Sequence, residues 1–71
     1  GNRTGKAYVA HLEATFSRLA EFPLLGRDVS FLRPGYRQME TARHTVFYRT
    51  SEDGILIIRV LHQSMLPNLH L

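Results

Sequence analysis

The side chains with the most chemical reach in this 71-residue chain are its arginines and histidines. Eight of the nine Lys plus Arg residues are arginine, with Lys6 the one lysine, against six Asp plus Glu. A guanidinium presents a planar fork of donors that fits carboxylates and phosphates, so this bias points to an acidic protein segment or a nucleic acid as partner. Cleaving RNA through its 2′-hydroxyl would need a base, an acid for the leaving oxygen and cations for the phosphate. Arg49 and Arg59 are candidates for holding phosphate, His62 or His70 for exchanging protons near neutral pH, and Tyr48 for donating a hydrogen bond. The four histidines, at 11, 44, 62 and 70, lack the i, i+4 or short-loop spacing of a metal site, and there is no cysteine and no Gly-rich phosphate loop. Glu52 and Asp53 read as a solvated turn. No metal and no cofactor are expected.

These residues have to be carried by a small fold. Residues 1–71 make one domain, with a core that is small for its surface. The absence of cysteine rules out disulfide reinforcement and suits a reducing cytoplasm. The longest apolar run, Ile55 to Ile58, is far short of the roughly 20 residues that span a bilayer, so no membrane association is expected.

From about Lys6 to Phe22, apolar residues recur at Tyr8, Val9, Leu12, Phe16, Leu19 and Ala20, the spacing of one helical face, and Pro23 stops the pattern. His11, Glu13, Ser17, Arg18 and Glu21 fill much of the remaining circumference. Residues 24–28 read as a connector, and Arg33-Pro34-Gly35 as a turn. The period then changes from 3.6 to 2, which predicts strands near residues 36–40, 44–50 and 55–62. The expected fold class is α+β: an amino-terminal helix packed on a three-stranded antiparallel meander.

Pairing Thr50 with Ile55 sorts the side chains into two faces. One carries His44, Val46, Tyr48, Ile55, Ile57, Arg59 and Leu61; the other carries Arg43, Thr45, Phe47, Arg49, Leu56, Ile58, Val60 and His62. Arg59 and His62 therefore point to opposite faces. Because both faces are largely apolar, the last strand is expected to be central and covered on both sides. One helix covers only one face, so an exposed apolar patch and an unpaired sheet edge are expected, and with them a partner or a homo-oligomer.

In order, the chain carries Phe16-Ser17-Arg18-Leu19-Ala20-Glu21-Phe22-Pro23 with Leu25-Gly26-Arg27, then Leu32-Arg33-Pro34-Gly35-Tyr36-Arg37, Val46-Phe47-Tyr48-Arg49, Asp53-Gly54-Ile55, Ile58-Arg59-Val60-Leu61-His62 and Met65 to Leu71. This collinear set resembles the ParE toxins of plasmid and chromosomal toxin–antitoxin modules, within the RelE/ParE superfamily. The family's first strand and helix have no counterpart ahead of Lys6. The resemblance implies a non-enzymatic cytoplasmic toxin that inhibits DNA gyrase by protein–protein binding and is neutralised by a ParD-like antitoxin. No direct sequence-specific nucleic-acid binding is implied. The alternatives are a ribosome-dependent mRNA endonuclease of the RelE branch, and a non-toxic antitoxin-binding remnant.

Target contact is expected from Arg59, His62, Gln63, Met65 and the tail to His70, which lie at or beyond the end of the last strand, where side chains are freer to reach a partner. Arg43 and Arg49, sharing a face with the last strand, are the cations expected against an antitoxin's acidic groups.

Overall fold

A computed structural model describes residues 2–62, with side chains from Lys6 onward. Helix α1 spans Asn2–Glu21. The alanines at 7, 10, 14 and 20 favour the helix, Arg18 sits favourably in its last turn, and Pro23 cannot extend it. The last turn closes with the Phe22 amide donating to the Arg18 carbonyl at 2.8 Å. The buried stripe runs through Tyr8, His11, Leu12, Thr15, Phe16 and Leu19, with Leu19 and Thr15 fully covered. Val9 and Ala20, placed on that face by periodicity, are exposed. His11, placed on the solvated side, is instead half-buried against the sheet.

Four strands follow: β1 Arg27–Asp28, β2 Tyr36–Glu40, β3 His44–Ser51 and β4 Gly54–His62. All pair antiparallel in the order β1-β2-β3-β4. The α+β class and the helix-on-meander arrangement are as expected, and the sheet gains β1 at its edge. That strand is two residues long, too short for a two-residue period to announce it.

The stretch from Pro23 to Asp28 is held down by two side chains of the sheet. Tyr48 is completely buried. Its hydroxyl donates to the Pro23 carbonyl and accepts from the Gly26 amide, both at 2.8 Å. Arg37, opposite Tyr48 on β2, donates from Nε and a terminal nitrogen to the Gly26 carbonyl and from that nitrogen to the Leu24 carbonyl. Each bond satisfies a backbone group of a segment with few strand partners. Asp28 closes the next turn by accepting from the Ser30 amide at 2.8 Å; those Ser30 hydrogen bonds, aided by Arg37, hold its carboxyl below the usual range.

The core lies between α1 and one face of the sheet. Leu19, Val46 and Tyr48 form its centre, with Phe16, Met39, Ile55, Ile57 and Val60 packed around them. Thr50 pairs with Ile55, as expected, and Ser51 pairs with Gly54, which leaves only Glu52 and Asp53 in the turn. A bulge between Phe47 and Tyr48 then shifts the register: Tyr48 pairs with Ile57, but Phe47 pairs with Arg59. Ile58 is the extra residue.

Beyond the bulge every β4 side chain changes face relative to the uninterrupted register. Val60 and His62 turn toward the helix, while Arg59 and Leu61 turn away from it, the reverse of the expected assignment. Arg59 and His62 still point to opposite faces. A second correction concerns position: among the described residues β4 is an edge strand and β3 is central. The long apolar run of β4 therefore does not report burial on both sides, and its outward residues Leu56 and Ile58 remain exposed.

Candidate functional site

The face of the sheet turned away from α1 collects the arginines. Cross-strand rows there are Tyr36, Arg49 and Leu56; then Arg27, Gln38, Phe47 and Arg59; then Glu40, Thr45 and Leu61. Between β1 and β2 the chain doubles over this face. Val29 is buried and donates to the Tyr36 carbonyl at 2.9 Å, and the Leu32 amide donates back to the Val29 carbonyl at 2.8 Å. The Tyr36 amide reaches the Arg33 carbonyl at 3.1 Å through Gly35, whose φ of 80° is strained for any residue with a Cβ. This turn sets Leu32 and Arg33 beside the strands.

The result is an open groove of about 450 Å³ lined by Leu32, Arg33, Tyr36, Phe47, Ile58 and Arg59. Its floor is aromatic and aliphatic, and an arginine stands at each side. Arg49 extends the basic rim, its guanidinium lying beside Gly35. Among the described residues the one ion pair is Arg37 with Asp28, and Arg33, Arg49 and Arg59 have no acidic partner among them. Leu56, Phe31 and Leu32 continue the exposed apolar surface around the groove, with Phe31 79% exposed. Apolar floor and unpaired guanidinium rim together suit an acidic segment that also carries apolar side chains.

The residues singled out from sequence divide between the two faces. Arg49 and Arg59 stand together on the groove face, although they were assigned to different partners. Arg43 is exposed in the turn between β2 and β3, where its amide donates to the Thr41 hydroxyl at 3.3 Å. His62 lies on the helix face against Tyr8, with ring centroids 5.6 Å apart. Gln63, Met65 and His70 fall outside the described residues. Tyr48 is committed to the 23–26 backbone. The set sketched for RNA cleavage is thus split across the sheet, with Arg49 and Arg59 on one side and Tyr48 and His62 on the other.

Sequence reasoning missed most of the groove. Tyr36 and Phe47 were available to it, since they alternate in register with Arg49. Ile58 already shared a face with Phe47 in the expected register, but Arg59 became its neighbour only through the bulge. Leu32 and Arg33 were read as turn residues, which they are, but their position over the face is set by backbone bonds that no periodicity encodes.

The fold and the groove define a small basic α+β unit, a helix on an antiparallel meander whose other face is left open by the described residues. Residues 1–67 match the family model for the ParE toxin of the type II toxin–antitoxin system parDE, and the chain belongs to that family. It is similar to Toxin ParE1 of Caulobacter vibrioides, 45% identical over 64 residues, covering 90% of this chain and 66% of that protein. Toxin ParE1 of Mycobacterium tuberculosis is 41% identical over 59 residues, with 82% and 60% covered. Toxin ParE3 of Caulobacter vibrioides is 38% identical over 65 residues, with 92% and 65% covered. The chain therefore spans about three fifths to two thirds of the length of these relatives.

Proposed function

We propose that this chain acts as the toxin of a type II module in the cytoplasm, inhibiting DNA gyrase by binding it and being neutralised by a ParD-like antitoxin. The observation that carries the reading is the groove face, where Arg33 and Arg59 line an aromatic and aliphatic floor beside Arg49, none of the three paired with an acidic side chain among the described residues. An antitoxin segment that is acidic and disordered when free would fold onto such a face, its carboxylates on Arg33, Arg49 and Arg59 and its apolar side chains over Phe47 and Ile58.

Arg49 and Arg59 share that face, so an antitoxin seated on it also covers Arg59, the leading target-contact residue. Neutralisation then works by occlusion. His62 at the end of β4, with Gln63, Met65 and His70 beyond it in sequence, completes the proposed target contact, and Arg43 adds a cation at the β2–β3 turn. Binding rather than catalysis is favoured by the separation of Arg49 and Arg59 from Tyr48 and His62.

Gyrase supercoiling and ribosome-bound mRNA cleavage, run side by side, test the proposal. The purified chain should inhibit supercoiling and accumulate cleaved DNA while leaving the message intact, and pre-bound antitoxin should abolish the inhibition. Ribosome-dependent cleavage would assign it to the RelE branch. Loss of both activities with tight antitoxin binding would leave an antitoxin-binding remnant.

A further inference from the structure

On the opposite face, where α1 meets the ends of β3 and β4, four rings come together. Tyr8 packs edge-on against His44 at 5.8 Å between centroids, and His11 packs edge-on against the same ring at 5.1 Å. Tyr8 also meets His62, the cross-strand partner of His44, at 5.6 Å. His44 is only 1% exposed, and neither of its ring nitrogens has a hydrogen-bond partner; Nε2 of His11 is likewise buried without one. A core histidine normally has at least one nitrogen satisfied, because leaving a buried polar atom unbonded costs about 1–3 kcal/mol. No group of three side chains able to hold a metal is found among the described residues.

We propose that Tyr8, His11, His44 and His62 form an acid-sensitive latch, which holds the amino-terminal half of α1 on the sheet while the buried ring of His44 is neutral and releases it when that ring is protonated. An imidazolium at position 44 would be buried without an acceptor and would face the rings of His11 from α1 and His62 from β4. Among the described residues no carboxylate is paired with His44. Glu40, the charged residue of β2 nearest this end, pairs with Thr45 on the groove face, and Arg43 is exposed in the adjoining turn. Burial first, then His11 and His62, push His44 below its usual value.

The sign of the effect follows. A histidine that resists its proton in the folded state leaves the unfolded chain binding more protons below about pH 6.5, so stability is intact above that value and falls as pH drops toward the folded-state value. The loss is local first, because β2 is paired with β3 along its whole length, from Tyr36 with Arg49 to Glu40 with Thr45, whereas α1 reaches the end of β4 through these rings. This inference does not depend on the identity of the toxin's target.

Amide hydrogen exchange of the 71-residue chain, corrected for intrinsic rates, provides the test. Between pH 7.5 and 5.5 the amides of residues 8–15 should lose several-fold in protection, up to the roughly tenfold that one histidine can supply over that range, while residues 36–40 and 46–51 hold theirs. His44→Phe, which keeps an aromatic ring against Tyr8, should flatten that dependence. His11→Gln, which removes a neighbouring charge and leaves the core ring in place, should reduce it. A pH-independent helix in the unsubstituted chain, or the same loss in both variants, would overturn the latch.

Discussion

At the scale of single residues, the clearest case is Tyr48. Its position in an alternating strand was legible, and so was its polar tip, but the tip looked available for chemistry. What the sequence does not show is that residues 23–26 fold back over the ring, so that the hydroxyl meets one amide and one carbonyl, 22 and 25 residues away respectively. Tyr48→Phe should leave the Gly26 amide and the Pro23 carbonyl unpaired and cost about 1–3 kcal/mol in urea unfolding. Gly26→Ala approaches the same contact from the other side. A Cβ there would lie 2.5 Å from the Tyr48 hydroxyl and 2.7 Å from Cε1, against a ring that has no room to move. It should destabilise by about 1–3 kcal/mol, as overpacking does. A silent Tyr48→Phe would mean that water replaces the staple at no cost.

At the scale of elements, the strand positions and the β3–β4 hairpin could be read directly from the change of period, because alternation of Val46, Tyr48, Ile55 and Ile57 is the pattern of a sheet with one face on a core. The helix was equally legible from Leu12, Phe16 and Leu19. Two features were not. A one-residue bulge at Ile58 reverses the faces of Arg59, Val60, Leu61 and His62 without disturbing local composition. The edge position of β4 depends on strand order, which an apolar run cannot specify; Ile55 to Ile58 would read alike in a central strand. An edge strand of nine residues with Leu56 and Ile58 outward is a template for pairing, softened here by the bulge and by Arg59. We expect the isolated chain to self-associate at micromolar concentration and Ile58→Lys to reduce this in sedimentation velocity. A strictly monomeric parent chain would show that the bulge alone protects the edge.

For the whole molecule, the core and the proposed binding face sit on opposite sides of one sheet. Tyr48, Leu19 and Val46 hold the helix side together, which leaves Phe47, Arg49 and Arg59 on the other side free of structural duty and open to a partner. Because a ligand that binds only the folded state stabilises it by mass action, antitoxin should raise the melting temperature in proportion to the logarithm of its concentration above saturation. The most direct measurement is calorimetric titration of a ParD-like antitoxin into the chain and into a Leu32→Asp/Arg59→Glu variant shown by circular dichroism to be folded. Occupation of the groove predicts a loss of affinity of at least about tenfold, for a buried apolar contact and a reversed charge together, with Arg18→Glu on the exposed side of α1 near wild type. Undiminished binding by the groove variant would place the partner elsewhere and contradict the assignment.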